Sequence, residues 1–93
     1  MSFNQSSATE KAKQDLAQRT GVSESGIETV SVEETEFPDM SLGAPAGDEM
    51  SAQMISSGWK IKLKSDALDY EYRADKYQIR LRDFEGKNHI IES

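Results

Sequence analysis

Apolar side chains recur every fourth residue in one stretch of the chain and every second residue in four others, and these two periods assign its elements. Ala8, Ala12 and Leu16 form the first stripe, with Ala17 beside them and Lys11, Lys13, Gln14, Asp15 and Gln18 on the remaining positions. The spacing predicts an amphipathic helix over residues 8–20. Ser7-Ala8-Thr9-Glu10 has the S-x-x-E form of a capping box, and Gly21 stands where a left-handed residue ends a helix, with Val22 placed for the accompanying apolar contact.

After the turn residues Ser23-Glu24-Ser25-Gly26, residues 27–34 are β-branched and alternating, with Val30 and Val32 on one face, which predicts a first strand. Trp59-Lys60-Ile61-Lys62-Leu63-Lys64 alternates without a break, so three apolar side chains face one side of a sheet and three lysines the other. Residues 68–74 and 77–82 repeat the pattern after the short breaks Ser65-Asp66-Ala67 and Asp75-Lys76. Short connections between successive strands predict an antiparallel meander. The expected core is Trp59, Ile61, Leu63, Leu68, Tyr70, Tyr72, Ile79 and Leu81 beneath the helix stripe. The fold class is α+β: an N-terminal helix packed on one face of an antiparallel sheet of about four strands. Residues 7–84 are expected to form this one domain, residues 1–6 a disordered tail, and residues 85–93 a C-terminal tail or a short extra strand at His89-Ile90-Ile91-Glu92.

The periodic pattern fails after residue 36. Both prolines and two glycines fall within residues 37–47, and order is expected to resume only near Ile55. Phe37, Met40 and Leu42 are apolar side chains on a backbone restricted at Pro38 and Pro45 and released at Gly43 and Gly47. Two roles fit such a segment: a lid over an open edge or end of the sheet, or an apolar finger offered to a partner.

Charge changes the picture of the two sheet faces. The 93 residues carry 17 acidic and 11 basic side chains, net −6, and the acid is concentrated early: residues 1–58 hold 10 acidic and 3 basic, residues 59–93 hold 7 and 8. An acidic chain is poorly suited to binding nucleic acid, whose affinity comes from Lys and Arg displacing counterions. The lysine face is nevertheless locally basic, with Lys60, Lys62, Lys64, Arg73, Arg80 and Arg82 against Asp69 and Glu71. That pattern fits a site for an anionic small molecule or RNA, or a solvated face of cross-strand ion pairs. The aromatics that would stack bases fall on the opposite face, which favours the solvated reading.

No cysteine is present, which excludes disulfides, thiolate metal sites and cysteine nucleophiles, and suits a reducing cytoplasm. The first residues lack the basic and apolar regions of a secretory signal, and no apolar run is long enough for a membrane span, so a cytoplasmic protein without membrane association is expected. Glu28, Glu33, Glu34, Glu36, Asp39, Asp48 and Glu49 are rich in carboxylates but lack calcium-loop spacing. His89, the one histidine, has no cysteine or serine-elbow partner, and no phosphate loop occurs. No catalytic residue, metal or cofactor is therefore expected; a small enzyme using loop carboxylates is the lesser reading.

The expectation is a non-enzymatic protein or peptide interaction domain, monomer or homodimer, whose partner contacts loop 37–47 and the adjacent sheet edge, through Phe37, Asp39, Met40, Leu42 and Gly43.

Residues 12–27 (AKQDLAQRTGVSESGI), Phe37-Pro38-Asp39-Met40-Ser41-Leu42-Gly43, Gly58-Trp59-Lys60-Ile61-Lys62-Leu63 and Tyr70-Glu71-Tyr72-Arg73 together resemble a poorly characterised bacterial family of small α+β domains, with cyanobacterial members. The resemblance spans most of residues 8–83 and implies a helix before a strand, an aromatic-Pro-Asp-x-Ser-Leu-Gly loop, and a Gly-aromatic strand paired with a Tyr-x-Tyr strand. Members of the family it resembles are often exported and have a cysteine after Leu-Gly; Ala44 stands there in this chain, a departure that fits a cytoplasmic form. The resemblance implies no catalytic residues. The helix-then-sheet layout is also similar to small inhibitor and peptidase-propeptide-like domains, an analogy of fold alone.

Overall fold

The computed structural model describes residues 3–44 and 54–92. Helix α1 spans Gln5–Thr20, three residues longer at its start than the stripe implies. The capping box lies three residues upstream of the S-x-x-E match: Asn4 Oδ1 accepts from the Ser7 N–H at 2.8 Å, and Ser7 Oγ accepts from the Asn4 N–H at 2.9 Å. The Phe3 N–H also donates to the Lys76 carbonyl at 2.8 Å. Residues 3–6, expected in a disordered tail, are thus part of the fold; residues 1–2 of that tail lie outside the described residues. Gly21 closes the helix at φ 75°, its N–H donating to the Ala17 carbonyl at 2.9 Å.

A short 3-10 turn, Glu24–Gly26, leads into a five-stranded antiparallel meander: β1 Glu28–Phe37, β2 Ser56–Ser65, β3 Leu68–Ala74, β4 Ile79–Phe84 and β5 Lys87–Glu92, in spatial order β1-β2-β3-β4-β5. The fold is α+β as expected, with one strand more than the four anticipated, because the tail pairs with β4. Two-residue turns at Asp66-Ala67 and Glu85-Gly86 hold positive φ at all four positions, which matches the right-handed twist of tight hairpins.

The helix stripe packs on one sheet face. Ala8, Ala12 and Leu16 are fully buried against Ile61, Leu63, Tyr72, Ile79 and Leu81, with Ile27 closing one end. Tyr72 is buried along its whole ring and donates its hydroxyl to Asp15 Oδ2 at 2.7 Å; Arg19 Nε meets the same oxygen at 2.7 Å. Burial, then the Asp15 carboxylate, pushes the Tyr72 phenol well above its ordinary value. This interaction fixes the helix over β3 by a bond that no apolar contact could orient.

Three readings of the alternation are corrected. Leu68 is exposed, because it pairs with Ser65 at the hairpin end, where the sheet outruns the helix. Val30 sits at the register shift between Thr29 and Ser31, so it leaves the face that Val32 shares with Ile61. Tyr77 precedes β4 rather than starting it, because Asp75 Oδ1 accepts from the N–H groups of both Tyr77 and Gln78, at 2.8 and 2.9 Å, and holds them in a turn.

Candidate functional site

Register places Phe37 on the face away from the helix. It pairs with Ser56 on β2, and the same face carries Lys60, Lys62, Lys64, Arg73, Arg80 and Arg82. The chain leaving Phe37 folds back over this face as a lid, residues 38–44. Phe37, Ser41, Leu42 and Ala44 are buried beneath or within it, apart from the core under the helix.

Asp39 organises the lid locally. Its Oδ1 accepts from the Ser41 N–H at 3.0 Å, the Ser41 hydroxyl at 2.7 Å and the Gly43 N–H at 3.0 Å. The Leu42 and Ala44 N–H groups close onto the carbonyls of Asp39 and Ser41 at 3.2 and 3.0 Å. This tight wind requires positive φ at Leu42 (59°) and Gly43 (68°). Only glycine suits the second position for a further reason: a Cβ there would come 2.5 Å from Arg73 Nη1.

Three far-face side chains then hold the lid down by its carbonyls, taken at every second residue. Gln78 Nε2 donates to the Met40 carbonyl at 2.6 Å, Arg73 Nη1 to Leu42 at 2.9 Å and Arg80 Nη1 to Ala44 at 3.1 Å. Each clamp is itself positioned. Arg73 lies over the Phe37 ring at 5.5 Å and pairs with Glu71 at 2.8 Å, and Arg80 Nε donates to Gln78 Oε1 at 2.7 Å. The two guanidiniums supply charge-assisted bonds to the Leu42 and Ala44 carbonyls, which are partly and fully withdrawn from water.

The Gly43 N–H, then the Ser41 hydroxyl, hold the Asp39 carboxyl below its ordinary value of 3.8. A depressed folded value means that the carboxylate's contribution to stability is present above pH 3.8 and is lost as pH falls through the folded value. Asp39→Ala should lower stability by about 1 kcal/mol at pH 7, the usual cost of losing such a cap. Thermal midpoints of wild type and variant should converge as pH falls below 3.8, and a gap that stays constant with pH would refute the role of the charge.

The sequence-derived partner residues thus separate. Phe37 and Leu42 are buried, Asp39 and Gly43 shape the lid, and Met40 alone among the five is exposed at its tip. Residues 45–47 of the loop, and the carboxylates Asp48 and Glu49, lie outside the described residues. The proposed anion-binding residues separate as well. Arg73 and Arg80 are committed to the lid, while on the uncovered half Lys64 stands opposite Asp69, and Glu71 lies between Lys62 and Arg82. No group of three or more metal-ligating side chains occurs among the described residues.

Exposed apolar side chains gather where the lid ends. Met40, Met54, Ile55 and Tyr77 are 47%, 63%, 72% and 72% exposed. Met54 and Ile55 lead into Ser56, the partner of Phe37, and Tyr77 adjoins Gln78, which binds the Met40 carbonyl; all four therefore lie at one end of the sheet. Beside them a groove is lined by Glu34, Glu36, Ser57, Trp59 and Lys76. Trp59, which the alternation assigned to the core, packs against it only partly buried and borders this groove, and Tyr77, which the alternation placed at the start of a strand, is exposed by the Asp75 turn. Among the described residues no helix is long and apolar enough to cross a membrane.

No curated protein and no solved structure matches the chain. A family model described as a domain of unknown function, DUF8738, matches residues 9–82, a span that includes most of the helix, the lid and its three clamps. The chain belongs to this family, DUF8738.

Proposed function

We propose that this is a non-enzymatic domain that binds another protein through the sheet end carrying Met40, Met54, Ile55 and Tyr77. The carrying observation is the exposure of four large apolar side chains at one end of a chain otherwise rich in surface charge. A protein this small cannot spare them cheaply: each would contribute about 1.5–3 kcal/mol if fully buried. The lid places one of the four, since Asp39 and the three carbonyl clamps present Met40 on a fixed backbone, and a preorganised contact loses less entropy on binding. The lid, residues 38–44, is then also part of the contact surface, buried at Leu42 and exposed at Met40.

The anionic reading is weaker on the same geometry, because its two central cations, Arg73 and Arg80, are spent on the lid. Met40→Asp with Tyr77→Asp tests the proposal without touching the lid interior. Proteins recovered by the wild-type chain in affinity capture should be lost by the double variant while its thermal midpoint stays within a few degrees; equal recovery would sink the proposal. A Leu42→Asp variant is unsuitable for this purpose, since it buries an unpaired charge and undoes the lid.

A further inference from the structure

Strand β1 offers ten residues of backbone, and among the described residues it pairs on one side only, with β2. Such an edge presents unpaired N–H and C=O groups to any extended chain that reaches it. Its glutamates are not equivalent. Glu28 and Glu33 stand directly across from Lys64 and Lys60. Glu34 and Glu36, on the helix side, stand across from Trp59 and Ser57; both are exposed, and neither has an ion pair among the described residues. They line the groove whose aromatic member is Trp59, next to the apolar end described above.

We infer that β1 accepts a β-strand from the protein partner, with basic side chains at alternate positions facing Glu34, Glu36 and Trp59; this rests on the protein-binding reading above. The backbone supplies pairing, and the pleat supplies the spacing: residues 34 and 36 project to one face, so a complementary strand needs Lys or Arg at positions two apart. A cation entering that groove, which Lys76 also lines, would meet the Glu34 and Glu36 carboxylates beside the Trp59 ring. The same charges disfavour a second copy of this chain as the occupant. β1 carries no lysine or arginine of its own, so pairing it with a second copy would leave Glu34 and Glu36 without the cations that complement them.

Trp59 is the only tryptophan, so its emission reports directly on the groove. The probe is a six-residue blocked peptide alternating valine and lysine, titrated against the full chain. Saturable change in Trp59 emission is expected, weakened about tenfold or more in a Glu34→Gln, Glu36→Gln double variant and unchanged in a Glu10→Gln control, with the effect shrinking as salt rises. Methylating alternate peptide nitrogens on the pairing edge should abolish it. No saturable change, or equal affinity of the double variant, would overturn the inference. If the Met40→Asp, Tyr77→Asp variant loses captured proteins while the glutamine variant keeps them, the apolar surface stands and strand addition falls.

Discussion

Leu63→Ala should cost about 2–5 kcal/mol, the range for removing a fully buried leucine and leaving a cavity. Leu63 is completely inaccessible and lies on β2 between Thr29 and Tyr70, with the helix stripe across it. Collapse around the vacancy is hindered because its neighbours are held from two sides: the strands by their ladder, and the helix by the Tyr72–Asp15 bond at 2.7 Å. A domain of this size has a stability on the order of 5 kcal/mol, so the variant should be largely unfolded near room temperature or bear only a low urea midpoint. A midpoint matching the wild type would show that the core has been misassigned. Trp59→Ala should be milder, since Trp59 is only partly buried and borders the groove.

Gly58→Ala should destabilise by about 1–3 kcal/mol, and its sign is the informative part. In an open strand, alanine for glycine stabilises, because glycine loses more conformational freedom on folding. Gly58 has an ordinary strand backbone but no room. A Cβ there would run into the carbonyl oxygen of Ala74 and lie 3.0 and 3.1 Å from the Ala74 carbonyl carbon and Asp75 Cα. These are backbone atoms, so relief requires moving the end of β3. That movement would disturb Asp75, which holds Tyr77 and Gln78, and through Gln78 the Met40 end of the lid. Thermal denaturation should show a lowered midpoint; a raised one would mean that the strand ends are looser than the geometry requires.

The lid shows where pattern reading stops. Phe37, Leu42 and Gly43 were legible as members of a constrained apolar loop, but their destination was not, because alternation gives faces and not neighbours. Arg73 and Arg80 read as two more cations on a basic face. Only the register sets them, with Gln78, at the spacing that meets the carbonyls of Leu42, Ala44 and Met40. Their function as donors therefore depends on contacts 31 to 38 residues away along the chain. The same holds for Glu34 and Glu36: beside Glu33 they are one more acidic run, and pairing with β2 separates those facing lysines from these two, which face Trp59 and Ser57.

Local chemistry by itself determined the helix stripe of Ala8, Ala12 and Leu16, the Gly21 stop, the α+β class and the meander, because 3.6- and 2-residue periods and short turns are properties of neighbouring residues. Tertiary structure decided the remainder. It placed the helix cap at Asn4 rather than Ser7, added β5, put Val30 in a bulge, exposed Leu68 and Tyr77, and turned residues 38–44 into a lid that buries Ser41, Leu42 and Ala44 and leaves Met40 exposed. The reason is physical: burial and hydrogen-bond satisfaction belong to pairs of groups, and which pairs form is settled only when the strands come together.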